Sequence, residues 1–280
     1  MTTVALAGCT RTEDPDAPLL VDSLGRHGIA AVTAAWDDPG IEWGAFDATI
    51  IRSTWDYPER LEAFLSWARS VPTLVNPADV VAWNADKRYL DDLRAAGVPT
   101  IPTTYATSGA DASIPDGAFV VKPTVGGGSR GAARFSAREQ ALGRDHVDEL
   151  AAMGHESMIQ PLIDSIDHDG ETDVIVIDGE VRHAVVKHAP LSSTATLVAS
   201  GPSSVEPASL GRRQIDVVAG ALGAVPHDGP LCFARVDLVG TSNGPVVIEL
   251  ELIEPFLFLS SEASLPGHLA AAILHRARGA

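Results

Sequence analysis

The chain has 280 residues, enough for about two domains with a sizeable core, and 37 acidic residues against 20 Lys and Arg give a formal net charge of −17. A surface of that sign repels a phosphate backbone and no basic run offsets it, so nucleic acid is not an expected partner, although a local basic pocket for a nucleotide remains open. The two cysteines, Cys9 and Cys232, show neither metal spacing nor a pairing framework, which fits a reducing cytoplasm, and no apolar stretch approaches the ~20 residues that cross a membrane.

The first part alternates strands with helices. Apolar runs at 4–7, 29–33, 49–51 and 73–75 have the character of buried parallel strands. Leu6-Ala7-Gly8-Cys9 matches a lipoprotein cleavage site superficially but lacks a basic segment before it, so it reads as a strand ending at a glycine loop. Helical spacing marks 18–27 and 59–69, the second with Leu61, Phe64, Leu65 and Ala68 in one stripe. This predicts an α/β domain with a parallel sheet that ends near Asn76-Pro77. Arg52-Ser53-Thr54-Trp55-Asp56-Tyr57 follows the third strand, where open α/β sheets place ligand sites. Arg52 and Asp56 are therefore candidates for substrate binding; the alternative is a loop tied down by an Arg–Asp pair.

A helix is expected over 87–96, closed by Gly97-Val98-Pro99. A strand at 118–122 then finishes in Lys122, whose ammonium at the end of a buried run needs a partner such as phosphate oxygen. Lys87 by itself reads as an exposed lysine. Gly126-Gly127-Gly128-Ser129-Arg130-Gly131 satisfies G-x-G-x-x-G but runs into a strand at 132–135 rather than a helix, which disfavours a dinucleotide fingerprint. No Gly-Lys-Ser/Thr follows, which excludes a Walker loop. A glycine loop laid over nucleotide phosphates between antiparallel strands fits better, with a plain surface hairpin as the alternative. Ser136 and Glu139 form a capping box for the next helix. Further on come a strand at 157–162, a hairpin of 172–177 and 181–187 about Asp178-Gly179, a mobile stretch at 190–207, and helices at 210–222 and 266–278.

Between those helices, Ser242-Asn243-Gly244 reads as a hairpin loop, with Thr241 closing against Pro245. That register sets Asp237 opposite Glu249 and Arg235 opposite Glu251, and alternation puts Glu249 and Glu251 on one face. Crowded carboxylates on an otherwise apolar strand pair repel unless a cation sits among them, and oxygen ligands suit Mg2+ or Mn2+. A solvated acidic face is the alternative.

In this order the pieces resemble the ATP-grasp superfamily of carboxylate–amine ligases, in its glutathione-synthetase-like branch. The likeness rests on Trp83-Asn84-Ala85-Asp86-Lys87 opening a helix, Val120-Val121-Lys122-Pro123 before the glycine loop, Met158-Ile159-Gln160-Pro161-Leu162 at the hinge, and Arg235-Val236-Asp237 with Glu249-Leu250-Glu251 and Pro255. More narrowly the chain is similar to cyclo-ligases that close O-ureido-D-serine to D-cycloserine, through Ala35-Trp36-Asp37-Asp38-Pro39, the 52–57 loop, 179–187 and 249–255. The resemblance implies an ATP-grasp fold, with an N-terminal parallel α/β pre-domain (1–78) and two α+β subdomains (79–157 and 158–280) clasping ATP. It implies ATP and Mg2+ or Mn2+ as cofactors, a small amino-acid-like substrate, and an acyl phosphate that a nitrogen attacks. Lys87 and Lys122 would hold phosphates, and Gly127, Gly128 and Ser129 would cover the transferring group. Gln160, Pro161 and Leu162 would face adenine, and Asp237, Glu249 and Glu251 would hold metal, Glu251 standing where Asn is usual. Arg235, Lys187 and Arg52 would serve the reacting carboxylate and the acyl phosphate, with Glu254 or Asp56 meeting a substrate amino group. Other readings are a ligase joining two substrates, a phosphotransferase, or a nucleotide-binding protein without turnover.

Overall fold

The computed structural model describes residues 2–188 and 204–279. Its first sheet is wholly parallel, in the order β2-β1-β3-β4, formed by β1 (Thr2–Gly8), β2 (Ile29–Ala35), β3 (Ala48–Ser53) and β4 (Leu74–Val75). Helices α1 (Ala17–Arg26) and α2 (Leu61–Ser70) pack on it, and every residue of β3 is buried, as apolar runs in a parallel sheet require. In α2 the buried face is Phe64, Trp67 and Ala68, whereas Leu61 and Leu65 are only partly covered. Trp67 displaces them because it joins an aromatic cluster with Trp36, Trp43 and Phe64.

Two short helices follow, α3 (Ala78–Asn84) and α4 (Tyr89–Ala95), instead of one starting at residue 87. Trp83 and Asn84 thus close a helix rather than open one, and Lys87 lies in the turn between. The Asp86 carboxylate accepts the Arg88 N–H at 2.9 Å, which fixes that turn.

The second sheet is antiparallel, in the order β5-β8-β6-β7: β5 (Thr104–Ala106), β6 (Phe119–Pro123), β7 (Ala133–Phe135) and β8 (Ser157–Pro161), backed by α5 (Gln140–Ala152). Its core is its own, built from Phe119, Val121, Phe135, Val147, Leu150 and Ile159. Glu139 does accept the Ser136 N–H at 2.8 Å, but this closes a turn ahead of α5, which starts at Gln140.

After α6 (Ile166–Asp169) the third sheet contains β9 (Glu171–Ile177), β10 (Glu180–His188), β11 (Ser204–Pro207), β12 (Phe233–Thr241) and β13 (Gly244–Glu251), antiparallel in the order β11-β10-β9-β12-β13. Helix α7 (Arg212–Gly223) covers one face, and α8 (Leu265–Gly279) returns to α1. Val4, Leu6, Leu20 and Ile50 consequently share one core with Ile175, Phe233, Leu269 and Ile273. The parallel sheet and the third sheet are thereby fused, while the second sheet has a core of its own and lends Met158 of β8 to the core under α7. Of the stretch expected to be mobile, 204–207 form β11 and 190–203 lie outside the described residues. Among the described residues, no helix is long and apolar enough to cross a membrane.

Two β-bulges set the registers that matter. The β12–β13 turn is one residue tighter than its sequence reads: Thr241 pairs with Gly244 and Gly240 with Pro245. A bulge between Asp237 and Leu238, with Ile248 as the extra residue, then restores Asp237 opposite Glu249 and Arg235 opposite Glu251. In the β9–β10 hairpin, Asp178 and Gly179 take the left-handed turn at φ 55° and 76°. A bulge at Arg182 there moves Lys187 into register with Glu171.

The free edge of β13 is covered from the chain segment that carries Lys87. Asn84 donates to Leu250 O and accepts from Leu252 N–H, both at 2.8 Å, and the Tyr89 hydroxyl accepts the Leu250 N–H at 2.9 Å. These contacts pair backbone groups that an exposed edge would leave open and clamp the 84–89 turn beside Glu249.

Candidate active site

Alternation in the third sheet puts the chemistry on one face. Asp173, Asp237 and Glu249 stand in one row across β9, β12 and β13; Arg235 and Glu251 form the next, and Lys187 faces Glu171 on the other side. The opposite face carries Val174, Val176, Val236, Leu238 and Leu250 into the core under α7. The side chains on the charged face divide into three ion-paired groups.

Arg235, 6% exposed, donates to both oxygens of Asp237 at 2.7 and 2.8 Å and to Glu251 at 2.6 Å. Lys187 Nζ lies 2.9 Å from Glu171 and 3.1 Å from Asp173, which is wholly buried and also 3.5 Å from Arg235 Nε. Lys87 and Lys122, arriving from different elements, converge on Glu249 at 3.4 and 3.9 Å. Lys87 also donates to Gly126 O in the glycine loop.

Burial sets the titration of these acids unless a cation outweighs it. It pushes Glu251 up to about 8, because Arg235 is opposed by the charges of Asp237, Glu249 and Glu254. Glu249 feels the same burial, yet Lys87 and Lys122 overcome it and lower the carboxyl to about 2. Burial lowers Lys122, with Glu249 opposing. Burial also works against the Lys187 ammonium, but Glu171 and its neighbours outweigh it, so Lys187 is raised above an ordinary lysine.

The glycine loop joins β6 and β7, an antiparallel pair, with Gly128, Ser129 and Gly131 in left-handed backbone at φ 61°, 60° and 72°. A Cβ on Gly127 would stand 3.8 Å from Glu254 Oε1, so the loop lies across the end of β13. Arg130 ties it to the pre-domain by donating to Trp55 O and approaching Glu59 at 3.5 Å. On β6 and β8, Lys122 and Gln160 share a face, Gln160 standing opposite Val120. Gln160 is buried and its amide donates to Thr103 Oγ1 at 2.9 Å. Pro161 ends β8, and the Leu162 N–H donates to Ala118 O at 2.8 Å, so Gln160 and the Leu162 N–H both have protein partners.

Arg52 is not part of this gathering. At 2% exposure it reaches Asp14 at 3.0 Å, Asp16 at 3.6 Å and Pro255 O at 3.5 Å. Asp16 in turn accepts the backbone N–H groups of Leu257 and Leu259, at 3.3 and 3.1 Å. Arg52 and its two acids therefore anchor the segment after Pro255 to the pre-domain.

Glu171 and Asp173 were not among the residues singled out from the sequence, yet with Asp237 they form the group of carboxylates, among the described residues, whose oxygens lie within 4.8 Å of one another. The Lys187 ammonium already sits between Glu171 and Asp173. The Gly-Glu-Thr-Asp spacing does put both acids on one strand face, but the bulge at Arg182 hides their partner from a simple register count.

Comparison with known proteins places the chain. A family model described as D-cycloserine synthetase DcsG, N-terminal domain, matches residues 4–76. The cycloserine biosynthesis protein DcsG of Streptomyces lavendulae is 37% identical over 265 residues, covering 88% of this chain and 89% of that protein. The chain belongs to the DcsG family. The crystal structure of D-cycloserine synthetase DcsG superposes with a TM-score of 0.90 at 34% identity, covering 98% of this chain and 99% of that one. D-alanine–D-alanine ligase from Bacillus anthracis gives a TM-score of 0.69 at 13% identity over 100% and 98% of the two chains, and the ATP-grasp ligase PsnB gives 0.66 at 18% over 98% and 99%. The fold is ATP-grasp, and membership of the DcsG family makes the protein an ATP-dependent ligase.

Proposed function

We propose that this ligase converts a substrate carboxylate to an acyl phosphate and joins it to a nitrogen, and that the substrate is O-ureido-D-serine, closed to D-cycloserine while water removes the carbamoyl group from that nitrogen as carbon dioxide and ammonia. The convergence of Lys87 and Lys122 on Glu249 beneath the glycine loop carries the reading. Two ammonium groups held beside a largely covered carboxylate can donate to phosphate oxygens without movement of the turn and the strand that carry them. Gly127, Gly128 and Ser129 would offer backbone N–H groups to the transferring phosphoryl group, and Gln160, Pro161 and Leu162 would line the adenine side.

Asp237, Glu249 and Glu251 fit Mg2+ in kind, being all oxygen, and Arg235 already bridges two of them, so the arrangement accommodates a cation. When bound, Mg2+ supplies positive charge to the phosphate oxygens and offsets repulsion between them and the substrate carboxylate. Arg235 would then offer a fixed cation to the acyl phosphate, while Lys187, kept protonated by Glu171 and Asp173, would act through charge and not as a base. The domain limits 1–78, 79–157 and 158–280 remain our proposed division, with the first and third sharing a core.

Incubation with ATP, Mg2+, O-ureido-D-serine and hydroxylamine tests the acyl phosphate. ADP and a hydroxamate are expected together. ADP without hydroxamate would make the protein a phosphotransferase of another kind, and neither would remove this substrate.

A further inference from the structure

Asp56 and Glu254 are the acids that the sequence offers for the substrate side, and the structure separates them. Asp56 accepts the Trp36 indole N–H and an Arg60 N–H, both at 2.9 Å, and is 6% exposed. Both its oxygens are engaged inside the pre-domain. The partly buried Glu254 carboxylate makes no ion pair with any described residue, although Glu249 and Glu251 on the preceding strand do.

Its position is unusual for an unpaired acid. It follows β13 by three residues, and its backbone carbonyl accepts the Trp55 indole N–H at 3.3 Å. Its Oε1 faces Gly127 of the loop laid across the site. Pre-domain, glycine loop and metal strand therefore meet at this residue. The groups acting on it are Lys87 from the α3–α4 turn, Glu249 and Glu251 from β13, Arg235 from β12 and the Tyr57 phenol from the pre-domain. Burial pushes the carboxyl up to about 7, with Lys87 drawing it down and Glu249 adding to the rise.

An acid left unpaired beside the transferring group suits proton transfer better than charge anchoring, which would leave it fully ionised against a fixed cation. We propose that Glu254 is the general base of the ligation step and that the nucleophile is a weakly basic N–H of the amide or ureido kind. This rests on the acyl-phosphate reading above. The nitrogen lone pair forms the C–N bond, and the C–O bond to phosphate breaks with its electron pair leaving on phosphate. The N–H proton passes to Glu254, which later returns it to solvent. A nitrogen of this kind cannot shed its proton beforehand, so a carboxylate placed beside the acyl carbon matters most for it.

The test compares trapping with ligation in Glu254→Gln and Glu254→Asp. Hydroxylamine supplies its own nucleophile, so hydroxamate formation by Glu254→Gln should stay within about threefold of the parent while cyclised product falls by roughly 10²–10⁴-fold. Glu254→Asp should recover part of the product rate, and the acidic limb of the parent's rate profile near neutrality should vanish from the residual Gln activity. Unchanged product formation in Glu254→Gln would overturn the proposal, as would equal loss of hydroxamate and product, which would mark a role in binding or in seating the loop. A parent enzyme that forms no hydroxamate would instead overturn the acyl-phosphate reading beneath it.

Discussion

The guanidinium of Arg235 grips both carboxylate oxygens of Asp237, its neighbour two residues along the same face of β12, at 2.7 and 2.8 Å. The same group reaches Glu251 at 2.6 Å and stands 3.5 Å from Asp173. One arginine therefore offsets two of the three carboxylates proposed to hold metal, and an entering divalent cation competes with it for them.

Arg235→Ala should accordingly leave several buried acids without their nearest counter-charge. Breaking a buried pair from one side costs about 3–5 kcal/mol. The urea midpoint should fall, and Mg2+ should recover part of the loss by taking the place of the guanidinium. A midpoint equal to the parent's, with no response to Mg2+, would contradict the arrangement.

Asp237→Ala and Glu249→Ala should behave differently. Each removes one acid from a crowded set, so repulsion falls; without Asp237 the arginine keeps Glu251, and without Glu249 the buried Lys87 keeps Gly126 O while Lys122 stays partly exposed. Folding by circular dichroism should persist while Mg2+-dependent turnover drops by about 10²-fold or more. Near-parent turnover in both variants would remove them from the metal site.

The Glu251 carboxyl, raised to about 8 by burial and neighbouring acids, gives a pH signature. Because the folded form binds its proton more tightly than the unfolded chain, its contribution to stability is full below the ordinary carboxyl range and is lost as pH rises through about 8. A cation favours the ionised form, so Mg2+ binding at neutral pH should release a proton, and affinity should rise with pH until it levels off above that value. Titration calorimetry in two buffers of different ionisation enthalpy reads this directly. Identical heats in both buffers at pH ~7 would show that no proton leaves.

Arg52→Ala is expected to act through the fold. Its loss leaves Asp14 and Asp16 buried and loosens the hold of Asp16 on Leu257 and Leu259, so stability should fall by about 3 kcal/mol, with nucleotide and substrate binding weakened together. A rise in substrate KM alone, at unchanged thermal midpoint, would return Arg52 to the substrate loop.

How much of this could be read from the chain turns on the bulges. Apolar runs gave the parallel sheet, and the order of motifs gave the fold, because both are carried by local spacing. The pairing of Asp237 with Glu249 was legible for an accidental reason: a turn one residue tighter than its sequence suggests is offset by the extra residue Ile248. At Arg182 no such compensation occurs, and a count from Asp178-Gly179 sets Glu171 opposite Val186 when it faces Lys187. Lys87 was weak by itself because its meaning comes from Asn84 and Tyr89, which dock its turn on β13 over 160 residues away in sequence. Arg52 read as a binding residue because the end of a parallel strand is a common ligand site; its partners Asp14 and Asp16 lie on the α1 approach, where spacing says nothing about contact.

The central claim, that this site makes a ring from O-ureido-D-serine at the expense of ATP, is tested most directly by following ADP and D-cycloserine in one mass-spectrometric time course with Mg2+ present. Both should rise together from the first turnovers, and both should be absent from Glu249→Ala. A preparation that binds nucleotide and Mg2+ but yields ADP without D-cycloserine, or neither product, would contradict it.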